Sequence, residues 1–169
     1  MLPDGWENIH RILVIHLGNW QNFVQTIPAL KKLHQFLPEA GITLMVSHST
    51  QHSGLQIPWA DDVWVYEDAE CQFKNAECEL ALIAKLHQCA FDASIIFTNP
   101  GESPYSLAYI CYLAGIPIRI GQSQEFGGSV LSQWVKAKAM LNSTDHHLFL
   151  VESITRTKVL TTLMRQTNS

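Results

Sequence analysis

The feature that most constrains this chain is an alternation. Short β-branched runs recur as RILVIHL (Arg11–Leu17), GITLMVS (Gly41–Ser47), DDVWVYE (Asp61–Glu67), FDASIIFTN (Phe91–Asn99) and IPIRIG (Ile116–Gly121). Between them lie apolar residues at helical spacing. Phe23, Ile27, Leu30 and Leu33 form one stripe, which Phe36 and Leu37 close. Leu80, Ile83, Leu86 and His87 mark a second over Asn75–Ala90, and Pro104–Ala114 a third, with Gly115 as its stop. Runs that are apolar throughout, not alternately, belong to strands covered on both faces. Strands alternating with helices give right-handed crossovers and a parallel sheet. The expected class is therefore α/β, with five to six parallel strands and helices on both faces.

The rest of the chain fits one domain over 1–169, with its core over 11–151. Pro28 leaves two readings of the first helix: it starts near Thr26 with Pro28 in its first turn, or near Asn22 and is kinked. SHSTQHSGLQIPW is polar, then turn-rich, with room for a short helix. VLSQWV fits a short sixth strand. A last helix is expected over about 146–164, capped by Thr144 or Asp145.

Composition narrows the function classes. Hydrophobic residues make up 47% and charged residues 15%, against about 25% charged in an ordinary chain. That fits a well-covered sheet, or a surface hidden against a partner. A net charge of −4 and a pI near 6.0 argue against a nucleic-acid footprint. Cys71, Cys78, Cys89 and Cys111 have no CxxC spacing and read as free thiols in a reducing compartment, with no zinc site. MLPDGWENIHR lacks the apolar core of a signal peptide. No apolar stretch approaches the roughly 18 residues of a membrane span. The expected location is the cytoplasm, at most peripheral at the inner face of the membrane.

In a sheet of this kind ligands bind beyond the carboxyl ends of the strands, near the topological switch point. The loops to watch are Gly18–Asn22, Ser47–Ser53, Thr98–Ser103 and Gly121–Gly128. LGNWQN carries one glycine, so it is neither a GxGxxG loop nor a P-loop. Asn19 or Asn22 serves there as a helix cap, and free N–H groups nearby attract anions. His16 ends the first strand and either contacts a ligand or simply finishes the strand. Arg119 pairs with an acid or reaches an anionic ligand. Glu125, in SQEFGG, binds sugar hydroxyls, acts as a base, or is an ordinary exposed acid. His48 and His52 lack the further ligands a metal needs, so no metal site is expected. His146 and His147 are adjacent and point apart, and Ser103 and Ser106 lack a GxSxG setting. Trp20 is oddly placed inside the first turn.

Taken in order, RILVIHLG, TIPALKKLHQFLPEAGITLMVS, IPWADDVWVYE, FDASIIFT, SLAYICYLAGIPIRIG and SQEFGG resemble glycosyltransferase family 9, the heptosyltransferase-like enzymes. The resemblance covers roughly Arg11–Val151. It implies the N-terminal half of a GT-B fold, in which two Rossmann-like domains face a cleft. The N-terminal domain binds the acceptor, typically a lipopolysaccharide inner-core sugar. The C-terminal domain binds the nucleotide sugar, typically ADP-heptose. Transfer inverts the anomeric carbon without a metal, and an N-domain aspartate deprotonates the acceptor.

On that resemblance the donor-binding domain is absent, and the chain alone is expected to be inactive. No cofactor is implied, since the nucleotide sugar is a co-substrate requiring a C-terminal half. The family's turn reads Leu-Gly-Ala-Leu-Gly-Asp. LGNWQN puts Gln21 at its second glycine and Asn22 at its aspartate. A carboxamide lone pair is tied up in resonance, so Asn22 forfeits a general-base effect of about 10²–10⁴-fold, and Gln21 gives up glycine's conformational freedom. His16, Gly18, Asn19, Gln21, Arg119 and Glu125 are the expected substrate-binding residues. Expected partners are a glycan acceptor and either a separate donor-binding chain or a second copy. The alternative is a non-catalytic glycan- or protein-binding module, or a degenerate relic.

Overall fold

The structure, a computed structural model, describes residues 6, 8–52, 56–66, 76–139 and 141–167. Ser53, Glu67, Cys71 and Asn75 lie outside the described residues. Six strands, β1 (Arg11–His16), β2 (Gly41–Ser47), β3 (Ala60–Tyr66), β4 (Ala93–Ile96), β5 (Ile118–Ser123) and β6 (Gln133–Lys136), form one sheet in the order β3-β2-β1-β4-β5-β6. Every neighbouring pair is parallel. Among the described residues the helices are α1 (Trp20–Val24), α2 (Ile27–Phe36), α3 (His48–His52), α4 (Ala76–Cys89), α5 (Tyr105–Leu113) and α6 (Ser143–Thr167).

The period of two along β1 divides the core into two layers. Ile12 and Val14 pack with Leu30 and Leu33 of α2 and with Leu150, Val151 and Ile154 of α6. Leu13 and Ile15 pack on the other face with Leu86 of α4 and with Ala108, Ile110 and Cys111 of α5. Each such side chain fully removed from water contributes roughly 1.5–3 kcal/mol. The chain thus leaves β1 for one face and β4 for the other. Because β1 and β4 are neighbours, the switch point lies between their carboxyl ends.

Local chemistry sets the boundaries. The two readings of the first helix merge: α1 ends at Val24, and α2 restarts at Ile27 with Pro28 in its first turn. A continuous helix would drive the Pro28 ring into the carbonyl of Val24. Gly115 ends α5 at φ +78°, a left-handed conformation that Cβ disfavours. Ala90 ends α4 in the same region, at φ +50°.

Two expectations are corrected. α6 begins at Ser143 and runs to Thr167, and its cap is Asn142 in place of Thr144 or Asp145. Asn142 Oδ1 accepts from Asp145 N at 2.8 Å while Asn142 Nδ2 donates to Asp145 Oδ2 at 2.9 Å, a reciprocal pair that fixes the start. Cys78 is disulfide-bonded, whereas Cys89 and Cys111 are free. Pairing depends on how closely the fold brings two Cα atoms, which spacing along the chain does not report. The inference of a reducing compartment from four free thiols loses its basis.

Candidate functional site

Alternation along β1, β4 and β5 places His16, Phe97 and Gln122 on the same face as Ile12, Ile95 and Ile120. They form the last row of that layer, at the carboxyl ends of three adjacent strands. His147, from the first turns of α6, closes over the row. Its ring lies 6.2 Å from His16 and 5.4 Å from Phe97, and Phe23 stands 5.6 Å from His16. His16, Gln122 and His147 are each 1–2% exposed.

This row is polar where the rows beneath it are apolar. Among the described residues, His16 Nδ1, both ring nitrogens of His147 and both amide atoms of Gln122 are buried without a hydrogen-bond partner. Each such group costs about 1–3 kcal/mol, so filling space does not account for them. Burial pushes His16 down to about pKa 4, against an opposing pull from the negative charge of Glu102. Burial also pushes His147 down to about 3, helped by His16 and His146. His146 is lowered by burial too, opposed by its bond to the Thr98 backbone. Neutral imidazoles therefore make up this buried row near pH 7.

The Gly18 turn lies against His16. A Cβ on Gly18 would sit 2.8 Å from His16 Cε1, so only glycine lets the turn rest on the imidazole. Gly18 O accepts from Ser47 Oγ at 2.7 Å, and Trp20 N donates to Ser49 Oγ at 3.4 Å. The cap of α1 is Asn19, whose Oδ1 accepts from Asn22 N at 2.9 Å. Asn22 is the third residue of α1 and half-buried, and its carboxamide is uncommitted among the described residues. Gln21 is exposed and sits in α1 without a positive φ, so losing glycine there strains no backbone. Trp20 is 42% exposed, which resolves its odd position.

The 98–103 loop leaves the carboxyl end of β4, the neighbour of β1. Glu102 N donates to Asn99 O at 3.0 Å. In return the Glu102 carboxylate accepts from Asn99 N and from Asn99 Nδ2, both at 3.1 Å. Among the described residues, Thr98 Oγ1 and Asn99 Oδ1 are buried without partners.

The structure brings His16, Gly18, Asn19, Gln21 and Asn22 together, but His16 serves as floor beneath the turn, with almost no exposed surface. Arg119 is elsewhere. It sits at the amino end of β5, donating from Nε to Val130 O and from Nη1 to Ile116 O, both at 2.6 Å, and lying over Tyr112. Its guanidinium is committed to carbonyls, and among the described residues it forms no salt bridge. Glu125 stands on an exposed loop held through its carbonyl, which accepts from Ser123 Oγ at 2.7 Å and Tyr105 Oη at 2.8 Å. His48 and His52 do share α3, with rings 5.9 Å apart. Among the described residues no three metal-capable side chains converge.

Sequence reasoning missed His147, Gln122 and Glu102. Gln122 was findable by continuing the alternation of Ile118 and Ile120, and Glu102 lay inside a loop already marked. His147 had no local signal, because the rings it closes over, His16 and Phe97, lie 131 and 50 positions away.

No family model matches the sequence, and no curated protein is similar to it. Solved structures are similar. The chain matches the glycosyl transferase family 9 protein from Veillonella parvula DSM 2008 with a TM-score of 0.66 at 19% identity, covering 85% of this chain and 40% of that one. It matches the E. coli heptosyltransferase WaaC with ADP-2-deoxy-2-fluoro heptose at 0.63 and 13% identity, covering 85% and 47%. For WaaC with ADP the values are 0.62, 15%, 85% and 46%. The chain spans less than half the length of these solved relatives. Over 85% of its length it has the Rossmann-like α/β fold of these glycosyltransferase family 9 and heptosyltransferase structures.

Proposed function

We propose that the chain is an acceptor-binding domain of the glycosyltransferase family 9 type, whose crevice between the Gly18 turn and the 98–103 loop receives a cell-envelope glycan such as lipopolysaccharide core. The observation that carries this reading is the buried polar row of His16, Gln122 and His147, placed under that turn at the switch point. Such unpaired donors and acceptors fit a hydroxyl-rich ligand or the water that accompanies one. The nucleotide sugar belongs to the second domain of a GT-B enzyme, and its transfer requires that domain.

Asn22 favours a second reading, a glycan-binding module without catalysis. Its carboxamide donates and accepts hydrogen bonds but takes up no proton near neutral pH. One pair of measurements separates the readings. Delipidated lipopolysaccharide core oligosaccharide, titrated into labelled protein, should shift the amides of Gly18, Asn19, Asn22, Asn99 and Glu102. Unmoved amides at millimolar oligosaccharide would sink both readings. Adding the donor-binding domain of a family 9 enzyme and ADP-heptose then tests chemistry. ADP release that rises about 10²–10⁴-fold in Asn22→Asp supports the enzyme reading. Binding with no release in either protein supports the module.

A further inference from the structure

We propose that the cavity between the edge strand β3 and the first half of α4 is a second binding site, and that it takes a small aromatic carboxylate. It lies on the opposite face of the sheet from the His16 row, so it stands whatever the crevice binds. Its volume is about 270 Å³, and its walls include Met45 of β2, Trp64 and Tyr66 of β3, and Ala81, Leu82 and Lys85 of α4.

The packing of α4 accounts for the space. Its second half closes on the sheet, where Leu86 is fully buried in the layer that holds Leu13 and Ile15. One turn earlier Leu82 is only half-buried, and Ala81 and Lys85 are exposed. Among the described residues β3 is the edge of the sheet, with no strand beyond it to carry a helix over this end. The strand side is already set. Met45 and Tyr66 are buried. Trp64 Nε1 donates to Asp62 Oδ2 at 2.8 Å, and the indole packs edge-on to Phe91 with centroids 5.8 Å apart. Walls fixed in advance lose little entropy when a ligand arrives.

Shape and chemistry select the ligand. An apolar cavity of about 150 Å³ holds one benzene molecule, so 270 Å³ admits a ring with a short chain. An indole, a phenol ring and a thioether are walls that favour an aromatic guest. Lys85 supplies the polar contact. Its Nζ stands 3.9 Å from the centroid of the Trp64 ring, held by a cation–π interaction. Among the described residues Lys85 forms no salt bridge. The Asp62 carboxylate accepts instead from Val63 N and Trp64 Nε1. The cavity thus joins an apolar volume to one uncompensated positive charge. A carboxylate on a short arm reaches that charge while its ring fills the space. A bare anion leaves the space unfilled, and a cation meets Lys85 with like charge.

The test titrates 3-phenylpropionate, 3-phenylpropylamine and propionate into labelled protein. Shifts of the Met45, Trp64, Ala81 and Leu82 amides and of the Trp64 indole N–H report the cavity, those of Gly18 and Asn99 report the crevice, and the remaining amides report the fold. The expected result is saturable binding of 3-phenylpropionate at about millimolar concentration, confined to the cavity, with weaker binding of the amine and none of propionate. Lys85→Met keeps the aliphatic stem and removes the charge, and should weaken the carboxylate about 5-fold. Ala81→Phe sends a ring into the cavity from an exposed position and should abolish binding; if that variant does not fold, Lys85→Met decides. Propionate binding as well as 3-phenylpropionate, or the amine as well as the carboxylate, would overturn the inference. So would unchanged affinity in either folded variant, shifts centred on the crevice, or no cavity shift with 3-phenylpropionate up to about 10 mM.

Discussion

Acid should loosen the polar row beneath the Gly18 turn, and the two central histidines give the size of the effect. His16 is pushed down to about pKa 4 and His147 to about 3, with burial as the largest cause in each case. In the unfolded chain both titrate near 6.5. The unfolded state therefore takes up protons that the folded state refuses. Stability is complete above about pH 6.5 and falls as pH drops toward the folded values. Between pH 7.5 and pH 5 each histidine accounts for a loss of about 2 kcal/mol. The rings are 6.2 Å apart and charging one opposes charging the other, so the losses combine only roughly, to about 4 kcal/mol. That is a large part of the 5–15 kcal/mol of an ordinary domain. His146 is shifted in the same direction and adds to the fall. Urea unfolding followed by tryptophan fluorescence at pH 7.5, 6 and 5 measures it. His147→Phe keeps a ring against Phe97 and removes one titrating group, so its pH-dependent loss should drop to about 2 kcal/mol. Wild-type stability that stays flat over this range, or an undiminished slope in His147→Phe, would refute the reasoning.

Four further outcomes are expected. Gly18→Ala places a methyl 2.8 Å from His16 Cε1 and should destabilise the protein by about 1–3 kcal/mol, read as a lower urea midpoint. Asn19→Ala removes the only side-chain cap seen on α1 and should cost about 1 kcal/mol, with faster amide exchange at Asn22 and Phe23. Ala90→Gly relieves a left-handed alanine at φ +50° and should stabilise the fold by about 1 kcal/mol; a lower melting temperature would count against that. Arg119→Met breaks the bonds to Val130 O and Ile116 O, so it should lower stability by roughly 1–3 kcal/mol while leaving sugar-induced shifts at Gly18 and Asn99 unchanged.

Much of the architecture was legible because its signals are local. The continuous β-branched runs Arg11–Leu17 and Gly41–Ser47 read as buried strands, and the Phe23–Leu33 stripe read as helix from its period of 3.6 residues. Gly115 and Pro28 punctuated helices through their own backbone limits. Strand direction alone narrowed the site to four loops at the carboxyl ends, and the strand order of the folded sheet then put the switch point between β1 and β4. The side-chain assignments were less legible. Arg119 alternated correctly along β5, yet its partners are carbonyls of the 116–117 and 130 segments, which spacing does not disclose. Asn19 and Asn22 were equally good caps on paper, and only the backbone angles of Asn19 chose between them.

The sequence by itself determined an α/β sheet and the end of it where a ligand belongs, since those follow from periodicity and strand direction. The tertiary structure decided what the site is made of. His16 became floor because Gly18 lies on it. His147 joined it across 131 positions because α6 packs over the carboxyl ends of β1 and β4. Glu102 came near enough to act on the charge of His16 because two strands distant in sequence are neighbours in the sheet. Contacts of that kind are set by the packing of whole elements, and no local stretch of sequence encodes them.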